Sequence, residues 1–307
     1  MSFDITFKQI AALFLIIGVG FVMHKCRVID DTATVRYSRL ILNISLPAQI
    51  IQAFVSQQGS VSKQMVLVMF GISLCAYALY AVVGVLFWYV ARVPVHQRGT
   101  YLFMMMFGNV GFMGFPLIEA ILGSKAMIYA VIFNVVFSVL VYSIGIHLIA
   151  GKEEGVRFDW KKLVNMPLAA AVISILLYFG NISLPGVVMR SLEFMGNITT
   201  PVAMLILGAT IAGMPMRELF DEWRIYLFTI VKLAVLPLIA ILCMKNLPVR
   251  SETVAGCMVI LSATPVATNA TMLAIEYGGD VKLASKGIFF TTILCMISIP
   301  LITAIYR

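Results

Sequence analysis

Long apolar runs alternate with short polar stretches along this chain of 307 residues. Each run is about 20 residues long, which is the length that crosses a bilayer as an α-helix. The pattern therefore predicts ten membrane-spanning helices, at about residues 5–23, 40–55, 65–91, 101–122, 127–150, 163–180, 192–213, 224–245, 253–277 and 281–306.

Composition supports the same class. Hydrophobic residues make up 61% of the chain and charged residues 12%, and the mean hydropathy is +1.01. Soluble domains carry roughly twice that share of charge. The chain is thus predicted to be an all-α polytopic membrane protein in contact with a lipid bilayer. Its five cysteines are scattered without metal-ligand spacing, so no metal or other cofactor is expected.

The basic residues orient the predicted helices. The net charge of +8 comes from lysines and arginines spread over short loops, which does not favour a nucleic-acid partner. The loops on the side opposite the termini carry roughly twice as many of them as the loops on the terminal side, and such basic loops face the cytoplasm. Both termini are therefore predicted to be extracytoplasmic.

An internal repeat relates the two halves. Asn43 and Pro47 in Asn-Ile-Ser-Leu-Pro recur as Asn197 and Pro201 in Asn-Ile-Thr-Thr-Pro. Five spans per copy is an odd number, so the second copy enters the membrane from the opposite face. The prediction is a pair of inverted five-helix repeats, 1–150 and 163–307, with a cytoplasmic linker at 151–162. These prolines and asparagines are predicted to kink the second and seventh helices, with the asparagine side chains satisfying the carbonyls that proline frees.

The predicted fourth and ninth helices are interrupted at matching places, by Gly-Asn-Val-Gly-Phe-Met-Gly-Phe-Pro at 108–116 and by Thr-Pro-Val-Ala-Thr-Asn at 264–269. Unwound backbone inside a bilayer is tolerated only where it is buried in protein or lines a cavity. Each break creates a helix N-terminus with a partial positive charge, which attracts carboxylates. Pro116 suits the first turn of one half-helix, and Thr268 or Asn269 can cap the other. The breaks therefore predict an anion site.

The residues predicted to bind substrate surround these breaks. They are Gly108, Asn109, Gly111, Pro116, Asn134, Lys232, Thr264, Pro265, Thr268 and Asn269. Structural alternatives remain open for several of them. The asparagines can hold the broken backbone, the glycines can allow close helix packing, and Lys232 can support backbone carbonyls.

Two acidic residues lie near the ends of the outgoing half-helices. Glu119 and Glu276 are predicted either to be solvated at the membrane interface or to take part in gating or cation coupling. Lys232 is the basic residue placed well inside a predicted span, but the third span, 65–91, holds no acid to pair with it.

The Asn-Pro motifs, the Gly-Asn-Val-Gly-Phe-Met-Gly-Phe-Pro break and the Ala-Thr-Pro-Val-Ala-Thr-Asn break together resemble the auxin efflux carrier family in its short bacterial form. The resemblance covers essentially the whole chain. It implies a fold shared with bile acid symporters, with a scaffold of helices one, two, six and seven and a mobile core of helices three to five and eight to ten. It also implies a bacterial inner membrane and transport of auxin-like acids or of dicarboxylates such as malonate and malate.

The sequence thus predicts a secondary active or facilitative transporter of small organic anions, which moves its core against its scaffold in elevator-type alternating access. Coupling to H⁺ or Na⁺ and a homodimer through the scaffold are left open. One alternative is a sodium-coupled symporter resembling the bile acid carriers, with Glu119, Glu276, Asn109, Asn134 and Thr264 around the cations. An intramembrane enzyme is disfavoured, because the spans hold no converging nucleophile and base.

Overall fold

The computed structural model describes residues 3–56, 63–150, 166–213, 220–247 and 251–306, and these contain helices and no β-strand. The predicted linker at 151–162 lies outside the described residues. In chain order the helices are α1 (Phe3–Lys25), α2 (Asp31–Val55), α3 (Lys63–Val90), α4 (Val95–Met106), α5 (Val110–Leu122), α6 (Ser124–Ala150), α7 (Met166–Phe179), α8 (Gly186–Gly213), α9 (Trp223–Asn246), α10 (Glu252–Ser262), α11 (Asn269–Glu276) and α12 (Val281–Tyr306).

In the described part of the chain, six helices are long and apolar enough to cross a membrane, namely α2, α3, α6, α8, α9 and α12. The protein is therefore an all-helical, multi-pass membrane protein. Shorter apolar helices include α5, α7 and α10. The total of ten spans and the inversion of the two halves stay predictions.

The described residues separate into two compact units. The first draws on residues 1–71, 111–135 and 161–213, and the second on residues 72–110, 136–160 and 214–307. Within the described helices, the chain passes between the units inside α3, in the first turn of α5 and inside α6. The predicted division into a scaffold and a mobile core stays a prediction.

In the first unit, α1 packs against α8 with their backbones in direct contact. A Cβ atom on Gly20 would overlap the carbonyl of Leu205, and one on Gly208 would overlap the carbonyl of Ile17. Small residues are what allow helices to approach so closely inside a membrane. These two glycines therefore set the spacing of α1 and α8.

Wide π-helical turns precede three prolines of the chain. The turns Ile41–Ser45, Val110–Gly114 and Val231–Val235 each end two residues before Pro47, Pro116 and Pro237, respectively. Proline lacks the N–H of a normal helical bond, and its ring crowds the carbonyl four residues earlier. In a π turn the backbone N–H groups donate to carbonyls five residues earlier instead of four, and this pairing satisfies the groups near the proline.

The two Asn-Pro motifs have different local structures. Asn43 lies inside a π turn of α2, and its Nδ2 atom donates to the Arg39 carbonyl oxygen at 2.8 Å. The second motif instead has a one-residue break in α8 at Ile198, between Asn197 and Pro201. The helical irregularity falls where the sequence motif predicts it, whereas bending of the helices there stays a prediction.

Candidate functional site

The breaks in the two interrupted helices lie against each other in the second unit. The Asn109 N–H donates to the Pro265 carbonyl oxygen at 2.7 Å, and the Ala267 N–H donates to the Phe107 carbonyl oxygen at 3.0 Å. Gly108 and Val266 form an antiparallel β-bridge between these two bonds. The two breaks therefore satisfy several of each other's freed backbone groups, as buried backbone requires. We call residues 107–109 and 265–267 the crossing.

Two threonine hydroxyls hold the 265–267 side of the crossing. The Val266 N–H donates to Thr291 Oγ1 at 3.0 Å, and this hydroxyl donates in turn to the Gly287 carbonyl oxygen at 2.6 Å. Thr264 Oγ1 donates to the Leu261 carbonyl oxygen at 2.6 Å, at the end of α10. Thr264 and Thr291 are fully buried, so these bonds are shielded from solvent.

Gly108 is required by the close contact of the two breaks. A Cβ atom at this position would overlap Thr264 Oγ1. By contrast, the nearest neighbour of a Cβ on Gly111 would be Leu46 Cδ2, at an ordinary 3.9 Å. Close packing therefore explains Gly108, and a role for either glycine in ligand approach stays a prediction.

The structure corrects two details of the half-helices. The first break is narrower than the predicted 108–116, because α5 resumes at Val110 as a π turn and Pro116 lies in the first turn of its α-helical part. Neither predicted cap of the second half-helix forms, because Asn269 is itself the first residue of α11 and its Oδ1 atom accepts no hydrogen bond among the described residues. Thr268 precedes α11 but its side chain makes no capping hydrogen bond. Its φ of −63° and ψ of −23° are already helical, whereas a capping residue is extended.

The two asparagines of the breaks differ in exposure. Asn109 is buried, with 3% of its surface exposed. Asn269 is half-buried at the first position of α11, and its Oδ1 atom has no hydrogen-bond donor among the described residues. Both residues therefore lie where α5 and α11 begin. Their roles in substrate binding stay predictions.

Lys232 lies in the π turn of α9 and is fully buried. Its Nζ atom donates to the Met105 carbonyl oxygen at 2.8 Å, in the last turn of α4. The same atom lies 5.6 Å from the ring centroid of Tyr80. This carbonyl contact is the arrangement expected of a lysine that supports the backbone. Because Met105 precedes the crossing by two residues, the contact also places the Lys232 amine beside the crossing.

The remaining predicted residues are described in the first unit, apart from Glu276. There Glu119 is exposed, and its Oε2 atom accepts a hydrogen bond from Gln49 Nε2 at 3.2 Å. Asn134 is buried in α6. Glu276 is the last residue of α11, and its side chain lies outside the described part of the structure.

Three residues of these sites were not predicted. Gln49, Tyr80 and Thr291 each lie in a long apolar run, where one polar or aromatic side chain gives no local signal. Gln49 follows the Asn-Pro motif by two positions, which is the one hint the sequence offers. Their partners are distant in sequence and become evident only from the folded chain.

A family model described as "Membrane transport protein" matches the chain at residues 5–159 and 156–303. The chain therefore belongs to the membrane transport protein family, which is that of the auxin efflux carriers. This confirms the resemblance drawn from the sequence motifs. This membrane transport protein is also 21% identical to a protein of Methanocaldococcus jannaschii over 298 residues, covering 94% of each chain. A protein of Methanothermobacter thermautotrophicus is 24% identical over 307 residues, covering 96% of each. Both relatives bear the name uncharacterized transporter.

Proposed function

We propose that this membrane transport protein is a secondary active or facilitative carrier of small organic anions. The observation that carries the proposal is the crossing, where two interrupted helices pair through their backbones beside the buried residues Asn109 and Lys232. Discontinuous helices of this kind form the substrate sites of many carriers.

A carboxylate has suitable partners at this place. The N-terminal ends of α5 and α11 carry partial positive charge. The Val110 N–H donates to the Gly108 carbonyl oxygen at 2.9 Å and the Ala270 N–H to the Ala267 carbonyl oxygen at 3.0 Å, so the carboxylate would use the other first amides. The Thr268 side chain makes no hydrogen bond to the amides of α11. Asn109 and Asn269 each supply an amide donor at the start of one half-helix. In our proposal the substrate carboxylate accepts hydrogen bonds from these groups, and Lys232 adds positive charge.

The proposed transport cycle uses the predicted architecture. Ten helices form two inverted repeats, both termini are extracytoplasmic, and the protein resides in a bacterial inner membrane. The core, which consists of the third to fifth and the eighth to tenth predicted spans, moves against the scaffold and exposes the crossing alternately to each side. The scaffold also offers a surface for a homodimer.

A thermal-shift screen of purified protein against mono- and dicarboxylates tests the proposal, since a ligand that binds the folded state alone raises the apparent stability. Uptake of the stabilising compound into proteoliposomes then tests transport. We expect Asn109→Ala and Asn269→Ala to abolish uptake while the protein remains folded. Asn246→Ala is a matched control, because Asn246 is exposed and bonds within its own helix. Normal uptake by both variants would contradict the proposed site.

Replacing sodium by choline in the same assay separates this carrier from the sodium-coupled alternative. A carrier that needs no sodium continues to take up its substrate in choline. Loss of uptake would instead favour a symporter with cation sites among the residues named for that alternative.

A further inference from the structure

Four helix ends meet at the crossing, and their charges oppose each other. Helices α5 and α11 begin there, while α4 and α10 end there. Each N-terminus carries about half a positive charge and each C-terminus about half a negative charge. The four contributions sum to approximately zero, so the helix ends alone do not determine whether the crossing prefers an anion.

One of the two negative ends is contacted by a lysine. Lys232 Nζ donates to the Met105 carbonyl oxygen, which is one of the last carbonyls of α4. These carbonyls have no donor within their own helix. A lysine at a helix C-terminus is the favourable partner for such an end.

The other negative end is satisfied by neutral groups. At the end of α10, Ser262 Oγ donates to the Val259 carbonyl oxygen at 2.7 Å, and Thr264 Oγ1 donates to the Leu261 carbonyl oxygen at 2.6 Å. Hydroxyl groups satisfy these carbonyls without adding charge. The two halves of the crossing therefore differ by one lysine.

The charge of Lys232 is not cancelled by an acid in the described part of the chain, where no carboxylate lies within ion-pair distance of its Nζ atom. Its position is fixed on a second side by Tyr80, a buried residue whose ring centroid lies 5.6 Å away. An aromatic face attracts a cation through its quadrupole. A protonated Lys232 thus adds a net positive charge beside the crossing.

We propose that Lys232 gives the crossing its preference for anions by outweighing the negative end of α4, and that Tyr80 is a positioning residue for its ammonium group. The inference rests on the proposed function, because it assigns selectivity to the same site. Direct contact between Lys232 and the substrate is not required, since the charge acts through space over the few ångströms between Met105 and the paired segments.

The test compares a charged ligand with a neutral one of similar shape. Binding of acetate, malonate and indole-3-acetate, and of their amides, is measured on purified protein by thermal shift or calorimetry. Lys232→Met should weaken binding of whichever carboxylate the wild type binds by about 10- to 100-fold, as expected for a unit charge at this range. Binding of the corresponding amide should change by less than about twofold. Lys232→Arg should keep the preference.

Further variants separate charge from structure. Lys232→Gln keeps a donor without the charge, and it should lose the anion preference even if Lys232→Met fails to fold. Tyr80→Phe keeps the ring and should behave like the wild type, whereas Tyr80→Leu should lose part of the preference. Lys245→Met is the matched control, since Lys245 is an exposed lysine of the same helix.

The outcomes distinguish this inference from the proposed function. Equal weakening of carboxylate and amide by Lys232→Gln would overturn the inference, because it would show a structural role alone. An unchanged carboxylate affinity in that variant would overturn it as well. A wild-type protein that binds none of the three carboxylates would contradict the proposed function, and with it the inference.

Discussion

Replacing Gly108 by alanine is the sharpest perturbation of the crossing. The added Cβ atom would overlap Thr264 Oγ1, while its distance to the Pro265 carbonyl oxygen would be an ordinary 3.5 Å. The threonine hydroxyl cannot turn away freely, because it donates to the Leu261 carbonyl oxygen at 2.6 Å. The methyl group must therefore either break that bond or force the two breaks apart.

The magnitude follows from two contributions. Overpacking of a buried contact costs about 1–3 kcal/mol, and loss of the Thr264 hydrogen bond costs about 1 kcal/mol more. In a protein of this size each kcal/mol lowers the melting temperature by roughly 2–4 °C. Thermal unfolding of purified Gly108→Ala should therefore begin several degrees below that of the wild type, and uptake should fall with it.

A double-mutant cycle identifies the clash as the cause. Thr264→Ala alone loses the hydrogen bond, but in combination with Gly108→Ala it also removes the overlapping hydroxyl. The double variant should then be more stable than the sum of the single effects predicts, by about 1 kcal/mol or more. Thr264→Ser keeps the Oγ atom and should give no such rescue. Gly71→Ala is the control, since the described structure has no atom within 4 Å of a Cβ there.

Two results would show that the added methyl group does not clash with Thr264. Gly108→Ala could prove as stable as Gly71→Ala, which would show that the breaks are not in close contact. Alternatively, the effects of Gly108→Ala and Thr264→Ala could add without interaction, which would locate the cause of the destabilisation elsewhere.

Three further substitutions test other contacts by thermal unfolding. Thr291→Val leaves the buried N–H of Val266 without its acceptor and should destabilise the protein by about 1–3 kcal/mol, whereas Thr291→Ser should not; equal stability of the two variants would contradict this. Gly208→Ala should push α1 and α8 apart and lower the melting temperature, and an unchanged value would count against their close packing. A hydrogen bond from Lys286 lowers the pKa of Asp221 below its ordinary value of 3.8. Wild type should therefore be more stable than Asp221→Asn above pH 3.8, and this advantage should disappear as the pH falls through the lowered pKa. A difference that persists in acid would contradict the pairing.

The sequence predicts the breaks well because their cause is local. Glycine at 108 and proline at 265, each close to polar residues in an apolar run, disfavour a continuous helix, so each break is indicated by a few neighbouring positions. The pairing of the breaks is not local. It joins backbone groups of Asn109 and Pro265, which no periodic pattern relates.

The errors in the prediction also have physical causes. Residue type predicts that Thr268 or Asn269 caps α11, but capping depends on backbone conformation, and Thr268 is already helical while Asn269 is the first residue of the helix. The predicted first break, 108–116, is longer than the observed one, because proline was expected to begin the helix. A π turn instead continues the helix through the preceding residues. Composition alone does not distinguish these two solutions.

The residue partners were the least predictable part. The sequence indicates that Lys232 needs a polar or aromatic partner inside the membrane, and it shows that the third predicted span holds no acid. It does not indicate that the partners are the Met105 carbonyl and the ring of Tyr80. A backbone carbonyl is present at every residue, so only the folded chain shows which one is used.

The most direct test of the account is an experimental density map of the protein in a lipid nanodisc, determined with the carboxylate that stabilises it most. We expect a break between α4 and α5, a second break between α10 and α11, and ligand density beside Asn109 and Asn269. Continuous helices through residues 107–109 and 265–267, or a bound ligand away from both asparagines, would contradict the proposed site.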